Sequence, residues 1–222
     1  MAASVVVEPQ QVADRLSELG LTEEILRNAI IAGDLARAAC TANDPPLFRG
    51  VTFWGRTTRA LRELLAPAGW EKDDTAGFAT VRNKQLGVAI VVVSGDMGTG
   101  SSDATVTPKS KYRKGTITIA AVDNNAAQLD LFDMVNEAPA PPTPDENGML
   151  TWVLLVYRAP GSKEIRSELS LPSSVSDDGK MSDWAERIPL APIPYGQGTS
   201  TPPPLAGEEL DVPVARKPPE EK

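Results

Sequence analysis

An unbroken apolar run from Val88 to Val93 sets the strongest limit on the fold of this chain. The run is rich in β-branched residues, which favour strands, and it is far shorter than the ~20 residues that a membrane-spanning helix requires. An apolar run without polar alternation is typical of a strand that is buried on both faces. The preceding residues 77–82 alternate apolar and polar side chains, and Asn83-Lys84 favours a turn. The sequence therefore predicts a hairpin whose second strand is central in a sheet.

A second hairpin is predicted by residues 150–158 and 164–171. Trp152, Leu154 and Val156 share one face of the first segment, and Ile165, Leu169 and Leu171 are apolar on the second. The turn-forming sequence Ala159-Pro160-Gly161-Ser162 lies between the two segments. Shorter strands are predicted at residues 116–122, where Ile and Thr alternate, and at residues 187–190. These segments together suffice for a mainly antiparallel sheet.

Helical patterns dominate the residues before the first hairpin. Apolar residues recur at helical spacing over residues 10–42, with Gly20 as a stop signal and Thr22 as the cap of a second helix. A third helix is predicted over residues 57–65, beyond the break at Asn43-Asp44-Pro45-Pro46. The N-terminal part of the chain is thus expected to be helical.

These patterns predict an α+β fold with N-terminal helices followed by a mainly antiparallel sheet. We expect a helical region over residues 1–66 and a β-rich region with inserted loops over residues 67–194. Four prolines predict an extended linker within residues 136–148. The Pro-rich residues 195–222 carry few large apolar groups, so we expect a disordered tail.

The composition excludes several kinds of catalytic site. The 222 residues include no histidine and a single cysteine, Cys40, so His-dependent triads, His-ligated metals and Cys-rich zinc sites are excluded. Alanines around Cys40 favour a small buried residue over a reactive thiol. With no disulfide and no recognisable export signal, we expect a cytoplasmic location. The net charge of -8 opposes a general nucleic-acid footprint but permits a local basic patch.

No cofactor or metal site is predicted from the motifs. The segment Gly95 to Ser101 follows a strand as a phosphate-binding loop does. It lacks the lysine that a Walker A loop requires after its final glycine, and it lacks the third glycine of the dinucleotide-binding motif. The acid pairs Asp73-Asp74 and Asp177-Asp178 lie in polar turns, where Asp is favoured for conformational reasons. An enzyme built on the glycine-rich loop with Asp96 or Asp103 is an alternative that requires a cleft.

One five-residue segment carries a more specific signal. Residues Gln128, Leu129, Asp130, Leu131 and Phe132 spell Gln-Leu-Asp-Leu-Phe. This sequence resembles the pentapeptide with which many bacterial replication and repair proteins dock on the ring-shaped sliding clamp. The resemblance implies that Gln128 makes polar contacts at the rim of a clamp pocket, while Leu131 and Phe132 fill a hydrophobic cleft. Asp130 stands where the motif accepts Ser or Asp.

The flanking sequence predicts that this pentapeptide is accessible. Asn124-Asn125 precedes it and the Pro-rich residues follow it, as in exposed connecting segments. The alternative is that Leu129, Leu131 and Phe132 pack on the protein's own sheet. Residues 168–172 partly resemble the same peptide class, but they lie inside the second hairpin and are interpreted as structural.

The order of features along the chain also resembles uncharacterised proteins of bacterial prophages and conjugative elements. The shared features are the Gly-Asp-rich loop, the basic Thr-Pro-Lys segment, the pentapeptide, the hairpin ending in Glu-Leu-Ser-Leu-Pro and a Trp-x-x-Arg-Ile strand. This resemblance implies that the protein is encoded on a bacterial mobile genetic element. The predicted function is that of a non-enzymatic accessory or adaptor protein whose partner is the sliding clamp.

A basic segment supports an alternative function. Lys109, Lys111, Arg113 and Lys114 surround Tyr112 with no acid among them. Cations can hold phosphate groups and an aromatic ring can stack on a base, so these residues are candidates for binding nucleic acid. A solvated loop that balances nearby acids is the simpler interpretation of the same residues.

Overall fold

The computed structural model describes residues 3–135, 149–158 and 163–195. The four α-helices in these residues are α1 (Pro9–Glu18), α2 (Glu23–Ala38), α3 (Phe48–Leu65) and α4 (Thr116–Val135). The strands are β1 (Ser4–Val5), β2 (Glu71–Asp73), β3 (Thr80–Asn83), β4 (Val88–Ser94), β5 (Leu150–Arg158), β6 (Glu164–Val175), β7 (Met181–Pro189) and β8 (Ile193–Pro194). Two short 3-10 helices, Ala66–Ala68 and Thr75–Gly77, flank β2.

The strands form one mixed, mostly antiparallel sheet of eight strands. Its order is β1-β7-β6-β5-β4-β3-β2, and β8 pairs with the start of β6. Only the pairs β4–β5 and β1–β7 are parallel among the described strands. A parallel pair needs a long crossover, which here consists of the loop 95–115 and helix α4. The predicted α+β fold and both predicted hairpins are confirmed.

Helices α1, α2 and α3 contribute to the larger apolar core, on one face of the sheet. Every residue from Val88 to Val93 is buried, which confirms the prediction of a central strand. Trp152 and Leu154 of β5 are fully buried in this core. Helices α2 and α3 approach closely at Gly33, where a Cβ atom would lie 2.0 Å from Oγ1 of Thr57. Only glycine fits this crossing.

The start of α2 follows local rules that are visible in the sequence. The hydroxyl of Thr22 accepts a hydrogen bond from the backbone N–H of Ile25 at 3.2 Å, which confirms the predicted cap. Gly20 has a φ of +69°, a left-handed conformation that ends α1 without steric strain.

Helix α4 and the loop 95–115 lie on the opposite face of the sheet. The smaller core cluster there joins the helix to the three strands β4, β5 and β7, and it contains Val91, Val93, Val122, Val153, Leu155, Met181 and Trp184. The loop is fixed to the sheet by a bridge between Gly95 and Ser110 and by the Trp184 indole, which donates to the carbonyl of Pro108 at 2.9 Å. Trp184 therefore anchors the loop to the sheet.

A buried ion pair holds the first half of this loop. The side chains of Arg187 on β7 and Glu168 on β6 are 2% and 0% exposed, and their atoms meet at 2.8 and 3.1 Å. Glu168 also accepts from the N–H of Gly100 at 2.8 Å. Arg187 donates to the carbonyls of Ser101 and Val106 at 3.1 and 2.8 Å. The assignment of residues 168–172 to the hairpin is thus confirmed.

Three sequence predictions about local structure are wrong. Residues 116–122 form the start of α4 and no strand, because the positions that face the sheet recur at helical spacing and alanines follow them. Helix α3 begins at Phe48, well before residue 57. Cys40 is half-exposed, since the chain turns away from the core after α2. The predicted linker at residues 136–148 and the predicted tail beyond Tyr195 lie outside the described residues.

We expect a large loss of stability when either partner of the buried ion pair is replaced alone. Arg187→Met or Glu168→Gln leaves the partner charge buried and unpaired, so each should lower the free energy of unfolding by about 3–5 kcal/mol. Urea unfolding followed by tryptophan fluorescence measures this loss. The double variant should lose less than the sum of the two single losses.

The exposed pair Arg59–Glu63, whose atoms are 2.7 Å apart, provides the control. Because both side chains are more than half exposed, Arg59→Met should change stability by less than about 1 kcal/mol. An Arg187→Met loss no larger than the Arg59→Met loss would contradict the structural role of the buried pair.

Candidate functional site

The predicted clamp-binding pentapeptide lies in the C-terminal part of helix α4. The side chain of Asn125, one turn before the pentapeptide, is fully buried. Its amide donates to the carbonyls of Thr151 and Pro172 at 2.9 and 3.1 Å and accepts from the N–H of Thr151 at 2.8 Å. Asn124 adds a bond to the carbonyl of Met149 at 3.1 Å. These bonds fix the middle of α4 on the sheet.

The reason for these bonds is a gap between two strands. The ladder between β5 and β6 ends at the pair Val153 and Ser170. Beyond that pair Thr151 faces Pro172, which has no N–H to donate. The amide of Asn125 supplies the missing donors and acceptor, so that no backbone group of Thr151 is left unpaired here. The prediction that Asn124-Asn125 forms an exposed connection is therefore wrong.

The structure describes the pentapeptide only in part. Gln128 and Leu129 are half-buried, and Leu129 packs against the larger core cluster. The backbone of Asp130, Leu131 and Phe132 continues the helix, but their side chains lie outside the described part. The predicted accessibility of Leu131 and Phe132 therefore stays a prediction. Any partner that takes up the whole pentapeptide must first displace Leu129 from its contacts.

The basic loop presents its charges to solvent. Pro108 and Ser110 point into the protein, whereas Lys109 and Lys111 between and after them are exposed. The N–H of Lys111 donates to the carbonyl of Ser94 at 2.8 Å, which continues the alternation of a strand. Tyr112 is 59% exposed, and the Lys111 ammonium lies 5.4 Å from its ring centre.

Arg113 and Asp178 complete the surface around this loop. Arg113 is exposed and its side chain passes 3.5 Å from the position that a Cβ atom on Gly179 would take. Asp178 lies next to Lys180, at 3.8 Å, and within the field of Lys109. The hydroxyl of Ser176 donates to Asp178 and is the main reason why the pKa of this carboxyl is lowered. A charged carboxylate inside the patch reduces its attraction for phosphate.

Lys114 differs from the other four residues of the basic segment. Its backbone N–H donates to the carbonyl of Gly179 at 2.7 Å, and its side chain is half-buried. Burial lowers the pKa of the Lys114 ammonium from 10.5 to about 8. No salt bridge to Lys114 is present within residues 3–135, 149–158 and 163–195. Lys114 is thus a costly buried charge, in contrast to the exposed Lys109, Lys111 and Arg113.

Asp177 and Asp178 form a turn, as the sequence predicts. The predicted turn at Asp73-Asp74 is wrong, because Asp73 ends β2, which pairs with β3, and Asp74 precedes the 3-10 helix Thr75–Gly77. The hydroxyl of Thr75 donates to Asp73 at 2.7 Å and lowers the pKa of this carboxyl, while Arg62 does the same for Asp74 at 2.6 Å. In the part of the chain that the structure describes, no three acidic or cysteine side chains are grouped so that they could hold a metal ion.

The glycine-rich loop uses its backbone groups within the protein. The N–H of Gly98 donates to Asp96 at 3.0 Å, and that of Gly100 donates to Glu168. An open cavity of about 360 Å³ lies where this loop meets α1 and the end of β7. Its lining is mostly apolar and includes the charged Glu23, whereas Asp96 and Asp103 are not among the lining residues. The alternative of a carboxylate enzyme at this loop gains no support from this geometry.

Comparison of the chain with protein-family models, with curated proteins and with solved structures finds no match. Among the described helices, none has both the length and the apolar character needed to cross a membrane.

Sequence reasoning missed the residues that position both candidate surfaces. Asn125 holds α4, and the pair Glu168–Arg187 holds the loop that precedes the basic segment. The available signal was weak: a glutamate inside an alternating strand and an arginine in a short apolar strand. Which charges pair across two strands depends on the register between them, and the register is fixed by non-local contacts.

The lowered pKa of Lys114 predicts a pH-dependent stability. The unfolded chain keeps this proton up to pH 10.5, whereas the folded protein releases it near pH 8. Stability of the native protein should therefore rise between pH 8 and 10.5 relative to a Lys114→Met variant. At pH 7 the variant should be more stable by roughly 2 kcal/mol, because it buries no charge.

Chemical unfolding at a series of pH values measures this difference. Lys111→Met is the matched control, since this lysine is exposed and the substitution should have little effect at any pH. A constant difference between the native protein and Lys114→Met from pH 7 to 10.5 would contradict the burial of the charge.

Proposed function

We propose that the protein is a non-enzymatic adaptor that docks on the bacterial replication sliding clamp through Gln128 to Phe132. The proposal includes the genomic setting implied by resemblance, a prophage or a conjugative element, and hence a cytoplasmic site of action. Docking would either recruit the protein to replicating DNA or exclude other proteins from the same clamp pocket.

The observation that carries the proposal is the position of the pentapeptide in α4. It directly follows the turn in which Asn124 and Asn125 are hydrogen-bonded to the sheet. The last turns of a helix can open while the preceding turn stays bonded, because local stability varies along a structure. A complete Gln-Leu-Asp-Leu-Phe sequence therefore stands where it can be released without disturbing the central strands.

The energies permit such a release. Removing Leu129 from its partly buried contacts costs up to about 1.5–3 kcal/mol. An aromatic and an aliphatic anchor in a partner's pocket each contribute about 2 kcal/mol or more when they act as hot spots. Burial of Leu131 and Phe132 in the clamp would thus offset the loss of the Leu129 contacts.

Binding of the full chain to a purified bacterial sliding clamp tests the proposal. The variant Leu131→Ala/Phe132→Ala should lose at least about 100-fold in affinity if these two residues are the anchors. Asp123→Ala is the matched control, because this residue is exposed on the same helix and outside the pentapeptide. Calorimetry gives the affinity, and circular dichroism checks that each variant is folded.

A synthetic peptide of residues 126–135 keeps the test decisive if the double variant fails to fold. The peptide should compete with the native chain for the clamp. Clamp binding that survives in Leu131→Ala/Phe132→Ala, or no binding by either the native chain or the peptide, would refute the proposed function.

A second candidate function is weak binding of single-stranded nucleic acid by the basic loop. The observation that favours it is the common exposure of Lys109, Lys111, Arg113 and the ring of Tyr112. Three cations in contact with phosphates predict that the logarithm of affinity falls with the logarithm of salt with a slope of about -2.

Charge-reversal variants distinguish binding at the basic loop from an effect of the protein's total net charge. Lys111→Glu/Arg113→Glu should abolish binding to a fluorescent oligonucleotide at low salt. Lys72→Glu/Lys84→Glu is the control, since it changes the net charge equally at two exposed positions, one on β2 and one directly after β3. Equal losses in the two double variants would show that only the total charge matters, and would exclude the loop as a specific site.

A further inference from the structure

Helix α3 carries an apolar face that is covered along only half of its length. The positions of this face are spaced by four and three residues in turn, and they are Leu47, Val51, Trp54, Thr58, Leu61 and Leu65. The last three are buried, whereas Leu47, Val51 and Trp54 are 79%, 58% and 41% exposed. Residues at this spacing form one continuous apolar face along a helix. The C-terminal half of this face packs in the core, and the N-terminal half is exposed to solvent.

Phe48, which is 47% exposed, widens this surface. We name Leu47, Phe48, Val51 and Trp54 the α3 stripe. Four large apolar residues that are exposed together on one helix are unusual in a monomer and mark a surface that another segment covers. Within the described residues no segment covers them.

The charge next to the α3 stripe indicates the kind of segment that fits. Residues 45–62 contain four arginines and no acid. Arg59 pairs with Glu63, the residue directly after this range, and Arg62 pairs with Asp74. Arg49 and Arg56 are exposed to solvent. A second copy of α3 would bring arginines opposite arginines, which is unfavourable. An apolar segment that also carries acids is the complementary partner.

The chain itself contains such a segment. Residues 205–214, which lie outside the described part, read Leu-Ala-Gly-Glu-Glu-Leu-Asp-Val-Pro-Val. The apolar members are Leu205, Leu210, Val212 and Val214, and the three acids between them have no basic residue among them. Apolar anchors for the stripe and negative charge for its arginines thus occur in one short sequence.

The described chain ends close to α3. The ring of Tyr195 stacks under the Arg158 guanidinium at 4.2 Å, and Arg158 pairs with Asp34 of α2 at 3.2 Å. The neighbouring Gly33 is the point at which α2 touches Thr57 of α3. From Tyr195 the chain to Leu205 can span up to about 33 Å, whereas Leu47 to Trp54 covers about 10 Å of helix.

We propose that residues 205–214 dock on the α3 stripe of the same chain. Leu210 and Val212 fill the surface between Leu47, Val51 and Trp54. The acids beside them face the exposed Arg49 and Arg56 of α3. A tether of this length gives an effective concentration in the millimolar range, so even a weak contact is populated.

Tryptophan quenching in the full chain tests this contact. Trp70, Trp152 and Trp184 are buried, so Trp54 is the tryptophan that acrylamide would reach if the stripe were open. The proposal predicts a low quenching constant for Trp54 in the native chain and a several-fold higher one in Leu210→Ser/Val212→Ser. A Trp54→Phe variant supplies the background from the other three tryptophans.

Two control variants make the experiment specific. Pro218→Ser/Pro219→Ser changes the same tail outside the docking segment and should leave Trp54 protected. Glu208→Lys/Glu209→Lys/Asp211→Lys tests the charge complementarity and should expose Trp54 as the apolar variant does. Exposure in both docking-segment variants, with protection in the proline variant, supports the proposal.

Three results would overturn it. Equal and high quenching in the native chain and in Leu210→Ser/Val212→Ser would show that the tail does not cover Trp54. Protection that persists in that variant and falls on dilution would assign the stripe to a second copy of the chain. Protection that persists without any dependence on concentration would assign it to a different segment of the same chain.

Discussion

The ion pair between Glu168 and Arg187 determines the course of the chain over one face of the sheet. Removing two charges from water is costly, and their attraction compensates only when the remaining polar atoms are also bonded. Here the N–H of Gly100 and the hydroxyl of Ser170 bind the carboxylate, and the carbonyls of Ser101 and Val106 bind the guanidinium. The pair therefore selects one path for the loop 95–110, and its contribution is conformational specificity.

Both candidate surfaces depend on this path. Once the loop is held, Pro108 and Ser110 turn inward and the exposed lysines between and after them form the basic loop. The chain then enters α4, which Asn125 fixes in the gap between Thr151 and Pro172. Buried polar contacts beside the smaller core cluster thus position α4, which carries the pentapeptide. The larger core cluster on the opposite face positions α3 with its stripe.

Local patterns sufficed for the two hairpins, the cap at Thr22 and the central strand β4, because alternation, turns and caps involve neighbouring residues. The local patterns gave wrong predictions where contacts with residues distant in sequence determine the structure. The β-branched residues at 117 and 119 favour a strand, yet the segment forms a helix because Asn125 and Val122 meet the sheet on one helical face. The burial of Asn125 depends on Pro172, which no local window contains. For the same reason the accessibility of the pentapeptide could not be predicted from its flanks.

The α3 stripe and the pentapeptide differ in how accessible they are before a partner binds. The α3 stripe is exposed in the described structure, so a segment that binds it gains contacts without a preceding rearrangement. The pentapeptide begins inside a helix, with Leu129 against the core, so the binding-competent form is a minority of the molecules. The apparent clamp affinity is then the intrinsic affinity multiplied by the fraction that is open. If the pentapeptide docks as proposed, the stability of the last turns of α4 sets the apparent affinity for the clamp, and residues outside the pentapeptide that stabilise those turns would weaken docking.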